Sequence, residues 1–287
     1  MLKCLDPTRA LLGEGPVWSA REQSLYWVDI KGHRLNRFNN QTKSVTAWPF
    51  PENLAWVLPR QTGGFVAGTR KQIGLLQLEP ELRFLPKLDV EPDLPRNRLN
   101  DAKIDRDGSL LFGTMDDQEQ AANGGLYRLF PDFSLEQLDS GYIVANGPAF
   151  HPGTAKLYHT DSARRQIYQF IRDGQNLIDK SVFIEFPEEA GFPDGMTVDR
   201  HGNLWVAHWG GGRISRFSAA GQLQETLKIP ATQVTSCCFG GENLDQLFIT
   251  SACIGLSSED LALQPQAGGL FMYQTNYQGF ASPLFLG

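Results

Sequence analysis

Four oxygen-bearing side chains recur at one register of this sequence. Glu14, Asn100, Asn146 and Asp194 each stand ten to twelve residues ahead of a short apolar segment, beginning at Leu25, Leu110, Leu157 and Leu204 respectively. Two carboxylates and two amide oxygens gathered in a narrow space repel one another or stay unsatisfied unless a cation or polar ligand joins them. An all-oxygen set favours a hard divalent ion such as calcium, magnesium or manganese, and geometry also admits zinc or ferrous iron. Three of the four lie in turn-like tripeptides, Glu14-Gly15-Pro16, Asn146-Gly147-Pro148 and Pro193-Asp194-Gly195, where Gly and Pro set an unusual backbone path. Singly, each Asn-Gly or Asp-Gly pair is an ordinary turn former. The shared register makes them a set. Two further segments offer Glu52 or Asn53, and Gln233 or Thr235, near the same place.

Other chemistries are poorly represented. The five histidines, His33, His151, His159, His201 and His208, have no H-x-x-x-H spacing, which argues against a zinc centre of the His/Cys kind. There is no G-x-S-x-G elbow for a serine hydrolase. The run Trp209-Gly210-Gly211-Gly212-Arg213 joins two strand-like segments and precedes no helix, so it reads as a wide hairpin loop and not a phosphate cradle. Cys4, Cys237, Cys238 and Cys253 include no C-x-x-C pair and read as reduced core thiols, which fits a cytoplasmic protein. With 26 Lys and Arg against 32 Asp and Glu, and no basic run, neither nucleic acid nor an anionic membrane surface is an expected partner. No signal-peptide h-region and no run of about 18 apolar residues is visible.

The elements that must position the four side chains are repeats. A short strand recurs at Leu25-Tyr26-Trp27-Val28, Phe65-Val66-Ala67, Leu110-Leu111-Phe112, Leu157-Tyr158-His159, Leu204-Trp205-Val206 and Leu247-Phe248-Ile249, with starts about 40 to 47 residues apart. A second strand follows each one, at Leu35, Leu75, Leu126, Ile167, Ile214 and Leu270. Turn clusters such as Gln61-Thr62-Gly63-Gly64 and Arg106-Asp107-Gly108 precede most of the first set. Gly 29 and Pro 17 suit many short strands, and helical periodicity is hard to find. The pattern predicts an all-β, six-bladed β-propeller with four-stranded antiparallel blades, residues 1–287 forming one domain. Leu2 to Leu5 are expected to add an outer strand to the last blade. Asp117 to Gly124 and Gly255 to Gly268 are expected to be loop insertions at a binding rim. In such a ring the innermost strand of each blade lines the axis, so equal register means convergence on one spot.

As a set, Gly13-Glu14-Gly15-Pro16-Val17-Trp18, Arg98-Leu99-Asn100-Asp101, Gly113-Thr114-Met115, Asn146-Gly147-Pro148 and Pro193-Asp194-Gly195-Met196 resemble the gluconolactonase and regucalcin (senescence-marker) family. Tyr26-Trp27-Val28-Asp29-Ile30 and the Trp209 segment look closest to its bacterial aldonolactonases, such as xylono- and arabinonolactonases. The resemblance covers nearly the whole chain. It implies a divalent metal held by Glu14, Asn146 and Asp194, with Arg98 and Asn100 contacting a sugar lactone. The family's substrate-touching Glu after Gly-Thr-Met is replaced here by Asp116-Asp117-Gln118, so Gln118 or Asp117 is expected in its place. In the reaction this implies, hydrolysis of the lactone, Asp194 is expected to act as general base. The chain would then be a monomer or small homo-oligomer. The alternatives are a calcium-binding regulatory propeller without turnover, or an esterase or phosphotriesterase on the same scaffold.

Overall fold

The computed structural model describes Met1 to Gly287 and is built from six four-stranded antiparallel sheets. Their innermost strands are Gly13–Ser19, Leu54–Pro59, Asn97–Ile104, Ala145–Phe150, Phe192–Val198 and Val234–Gly240. Each packs against the innermost strand of the next sheet, and Val234–Gly240 packs back on Gly13–Ser19, so the sheets close into a ring. This is a six-bladed β-propeller.

The second strands, Ser24–Asp29, Phe65–Thr69, Leu110–Asp116, Lys156–Asp161, Leu204–Trp209 and Gln246–Ser251, contain the six apolar anchors. They are buried on both faces because each blade is sandwiched between two others, which explains runs such as Leu110-Leu111-Phe112 in place of strict alternation. The outer strands, exemplified by Val45–Pro49, alternate between exposed and half-buried residues. Aromatic rings lock neighbouring blades together, with Trp18 stacked on Phe248 at 5.5 Å and Trp56 against Phe112 at 6.2 Å. Burial of each such ring contributes roughly 1.5–3 kcal/mol.

The last blade is completed by the start of the chain, as expected: Leu2–Asp6 pairs with Leu270–Gln274, setting Leu2 opposite Tyr273 and Cys4 opposite Phe271. The insertion of the sixth blade holds a short α-helix, Ser258–Leu263, that sequence periodicity did not reveal. Six residues are too few to display a 3.6-residue repeat, and a capping box between Ser257 and Asp260 sets its start. No helix is long and apolar enough to cross a membrane. All four cysteines are free thiols.

Each innermost strand also carries a one-residue β-bulge where its register slips against the second strand. The slips fall between Glu14 and Val17, Leu54 and Trp56, Leu99 and Ala102, Asn146 and Ala149, Pro193 and Met196, and Val234 and Ser236. A bulge bends the strand and re-aims one side chain.

Candidate metal and substrate site

Those bulges turn Glu14, Asn100, Asn146 and Asp194, from blades one, three, four and five, into one cavity of about 400 Å³ at an end of the ring axis. Gly15 and Gly147 follow two of them with φ of 54° and 75°, a left-handed backbone that glycine adopts without Cβ strain. All four side chains are buried. Leu12, Met115, Phe192, Trp209 and Ile254 form apolar walls.

A continuous hydrogen-bond chain orders the polar side of the cavity. Lys31 Nζ and Arg98 Nε donate to the same oxygen of Asp117, Oδ1, at 2.9 and 2.8 Å. Arg98 Nη1 donates to Asn100 Oδ1 at 2.6 Å, and Asn100 Nδ2 donates to Asn146 Oδ1 at 2.7 Å. Asn146 Nδ2 donates to Ser162 Oγ at 2.9 Å, and that hydroxyl donates to the carbonyl of Pro193 at 2.6 Å, one residue before Asp194. Each amide is therefore locked in one orientation, and Asn146 Oδ1 keeps a free lone pair.

The acidic side is out of balance. Glu14, Asp194 and the neighbouring Asp101 are buried and belong to none of the eight ion pairs. Loss of hydration, followed by repulsion from Asp101, pushes the Glu14 carboxyl up to about 8. Asp194 is raised well above the usual carboxylate range by burial and then by the charges of Glu14 and Asp101. Burial also raises Asp101, although it accepts the N–H groups of Ala102 and Gly147 at 2.7 and 3.1 Å. Burial lowers the Arg98 guanidinium, while Asp117 pulls it back toward the charged form.

Such a donor set fits a hard divalent cation. Its two carboxylates form no ion pair, and an oriented amide oxygen lies in the same cavity. No three His, Cys, Asp or Glu side chains come close enough to make a metal cluster alone. An ion here would draw on Asn146 as well as Glu14 and Asp194.

Of the site residues expected from sequence, Glu14, Arg98, Asn100, Asn146 and Asp194 all line the cavity. Gln118 does not. It is exposed and accepts a hydrogen bond from Arg96 Nη1 at 3.2 Å, because Asp116 grips the backbone of this turn and directs the side chain away; Asp117 and Glu119 line the cavity instead. The alternatives in blades two and six also stay outside. Asn53 Oδ1 bonds His33 Nε2 at 2.9 Å, and Thr235 Oγ1 donates to the Gly13 carbonyl at 2.6 Å, while Gln233 Nε2 donates to the Ile254 carbonyl. Glu52 contributes nothing to the lining either.

Sequence reasoning missed Lys31, Glu119, Ser162 and Asp101. A usable signal existed for the first three, since each follows closely after a second strand ending in aspartate, at Asp29, Asp116 or Asp161.

Residues 12–253 match the family model described as the SMP-30/Gluconolactonase/LRE-like region. An L-arabinolactonase of Azospirillum brasilense is 37% identical, over 99% of this chain and 95% of that protein. A 6-deoxy-6-sulfogluconolactonase of Pseudomonas putida is 36% identical, over 100% and 99%. A regucalcin of Danio rerio is 33% identical, over 94% and 92%.

Proposed function

The chain belongs to the SMP-30/gluconolactonase/LRE-like family, and we propose that it is a metal-dependent lactonase opening a sugar-acid lactone to the free aldonic acid. Glu14, Asn146 and Asp194 would hold the divalent ion, and Arg98 and Asn100 would meet the sugar. One observation carries the reading. Two buried carboxylates without cationic partners and one oriented amide, from three separate blades, face a single cavity large enough for a monosaccharide.

When bound there, a divalent cation supplies Lewis-acid polarisation of the lactone carbonyl and offsets the two carboxylates. The remaining work falls to the chain's own residues. Asp194 takes a proton from water as the water oxygen bonds to the carbonyl carbon. It returns that proton to the ring oxygen as the ring C–O bond breaks. Arg98, fixed through Nε by Asp117 and through Nη1 by Asn100, keeps Nη2 free to donate to a sugar hydroxyl. Trp209 and Phe192 narrow the cavity on its apolar side and limit the water around the reacting ester.

The test is direct. Asp194→Ala should lower kcat/KM for a cognate aldonolactone by about 10²–10⁴-fold, the usual worth of a general base, with an unchanged circular dichroism spectrum. Activity near wild type removes Asp194 from the reaction. Chelation should abolish turnover, and add-back of calcium, magnesium, manganese, zinc or ferrous iron should restore it with at least one. A panel of five- and six-carbon aldonolactones, corrected for spontaneous opening, identifies the substrate. Tight cation binding with no lactone opened anywhere in the panel would favour a calcium-binding regulatory propeller instead.

A further inference from the structure

In blades one, four and five the turn after the second strand ends on a left-handed residue: His33, Arg165 and Gly212, at φ of 52°, 55° and 60°. Each carbonyl there accepts a hydrogen bond from the residue directly after the blade's outer strand. The donors are Phe50, Phe186 and Ile229, at 2.8, 2.9 and 2.9 Å. The backbone device is shared, and only the side chains differ. Glycine takes this conformation freely, whereas arginine takes it against its own Cβ. Such strain persists where the surroundings impose it.

Two of the three side chains cross to the next blade. His33 Nε2 meets Asn53 Oδ1 of blade two at 2.9 Å. Arg165 reaches from blade four to blade five, where its guanidinium carbon lies 4.2 Å from the centre of the Phe192 ring. Only Arg216 over Tyr277 is closer, at 3.8 Å. Arg165 forms no ion pair, and its buried Nε has no hydrogen-bond partner in the protein. A planar guanidinium half-withdrawn from water is held well by an aromatic face, and here that face belongs to Phe192.

Phe192 is a wall of the metal and substrate cavity, paired across strands with Trp209 of the same wall. The next residue, Pro193, receives the Ser162 hydroxyl at its carbonyl, 2.6 Å away. Ser162 in turn accepts the Arg165 N–H at its own carbonyl, at 2.9 Å. The turn of blade four thus grips blade five at two adjacent residues, one through a hydroxyl and one through a ring.

We propose that Arg165 is a positioning residue for the substrate, pinning the Phe192 ring so that the sugar lactone meets a preformed apolar wall. The proposal rests on the lactonase reading above. Arg165 does not line the cavity and acts through Phe192. A ring released from the guanidinium turns into the cavity for part of the time, and every such conformer lowers the fraction of protein able to bind. Once the lactone is bound the wall is in place, so the chemical step is unaffected.

The experiment compares wild type, Arg165→Gly, Arg165→Lys, Phe192→Leu and the Arg165→Gly/Phe192→Leu double variant on the aldonolactone the panel identifies. Arg165→Gly suits the left-handed turn and removes only the stacking group. It should raise KM about tenfold, the size of a desolvated cation–π contact, with kcat and calorimetric divalent-cation affinity each within about threefold. Arg165→Lys keeps the charge without the plane and should raise KM about threefold, which also tests the proposal if the glycine variant folds poorly. Phe192→Leu should raise KM about tenfold, and the double variant should match it within about twofold, whereas independent effects would multiply to about 100-fold. Wild-type KM in the Arg165 variants, a loss confined to kcat or metal affinity, or a multiplied effect in the double variant overturns the proposal and leaves the lactonase reading intact. A wild type that opens no lactone in the panel overturns the reading beneath it.

Discussion

Glu14 and Asp194 spend their lives close to a like charge, and that fact has a measurable consequence apart from catalysis. The Glu14 carboxyl, raised to about 8 from an ordinary 4.5, binds a proton in the folded protein over a pH range where the unfolded chain has released it. Stability from this group is therefore fully present below about pH 4.5 and is lost as pH rises through 8. His159 and His208, held down to about 3 and 4 by burial, act in the opposite sense, but only below their ordinary value of 6.5. Between pH 6.5 and 8 the carboxylates dominate. From Glu14 alone, chelated protein should lose up to about 1.4 kcal/mol per pH unit over that window, the slope fading as pH approaches 8, measured by urea unfolding. Glu14→Gln should flatten the slope, and a saturating divalent cation should abolish it. A flat profile in chelated wild type would mean that the two carboxylates do not share the strain assigned to them.

At the scale of elements, the blade delivers chemistry through two repeated devices. The first is the bulge of the innermost strand, which rotates one side chain toward the axis. The second is a buried aspartate at the end of the second strand. Asp29 accepts the N–H groups of Leu11, Leu12 and Gly32; Asp116 those of Gln118, Gln120 and Ala121; Asp161 those of Ile143 and Val144. Each one anchors a rim segment, and Lys31, Asp117, Glu119 and Ser162 all follow closely after such an anchor. Gly147 tests the first device. A Cβ there would lie 2.5 Å from Met196 Cε on a backbone at φ 75°. Gly147→Ala should cost about 1–2 kcal/mol of stability and weaken metal binding, read by unfolding and by calorimetric titration, because Asn146 shares the strained turn. Wild-type affinity in that variant would show that the bulge does not aim Asn146.

For the molecule as a whole, ring closure is the condition for a site at all, since Glu14 and Asp194 meet only if blades one and five are held around a common axis. Closure is made twice. Leu2–Asp6 joins the last sheet, and Thr235 Oγ1 reaches across to the Gly13 carbonyl beside Glu14. Far along the chain, Phe285 is fully buried against Phe133, and its backbone exchanges hydrogen bonds with Pro59 and Gln61 of blade two. Phe285→Ala should therefore destabilise the fold by about 3–5 kcal/mol, seen as a lower unfolding midpoint. KM should stay unchanged below the transition, because this contact touches none of the cavity residues. A large KM change would mean that the two parts of the ring are more tightly coupled than the packing implies.

The six-fold recurrence of apolar strand pairs, spaced by turns, determined the propeller without coordinates, since strands of this length and spacing bury their faces only by stacking in a ring. The same recurrence singled out Glu14, Asn100, Asn146 and Asp194, because identical register in identical blades means identical radius. Glu52 or Asn53, and Gln233 or Thr235, lay near that register, and all four stayed outside the cavity. His33 claimed Asn53 and the Gly13 carbonyl claimed Thr235, and both of those partners come from another blade. The same holds at the rim. Asp117, Gln118 and Glu119 are consecutive, yet only the packing of Asp116, Arg96 and Lys31 decided which faced inward. Periodicity is written along the chain and can be read there; the direction of a loop side chain depends on contacts between residues far apart in sequence, and exists only once the ring has closed.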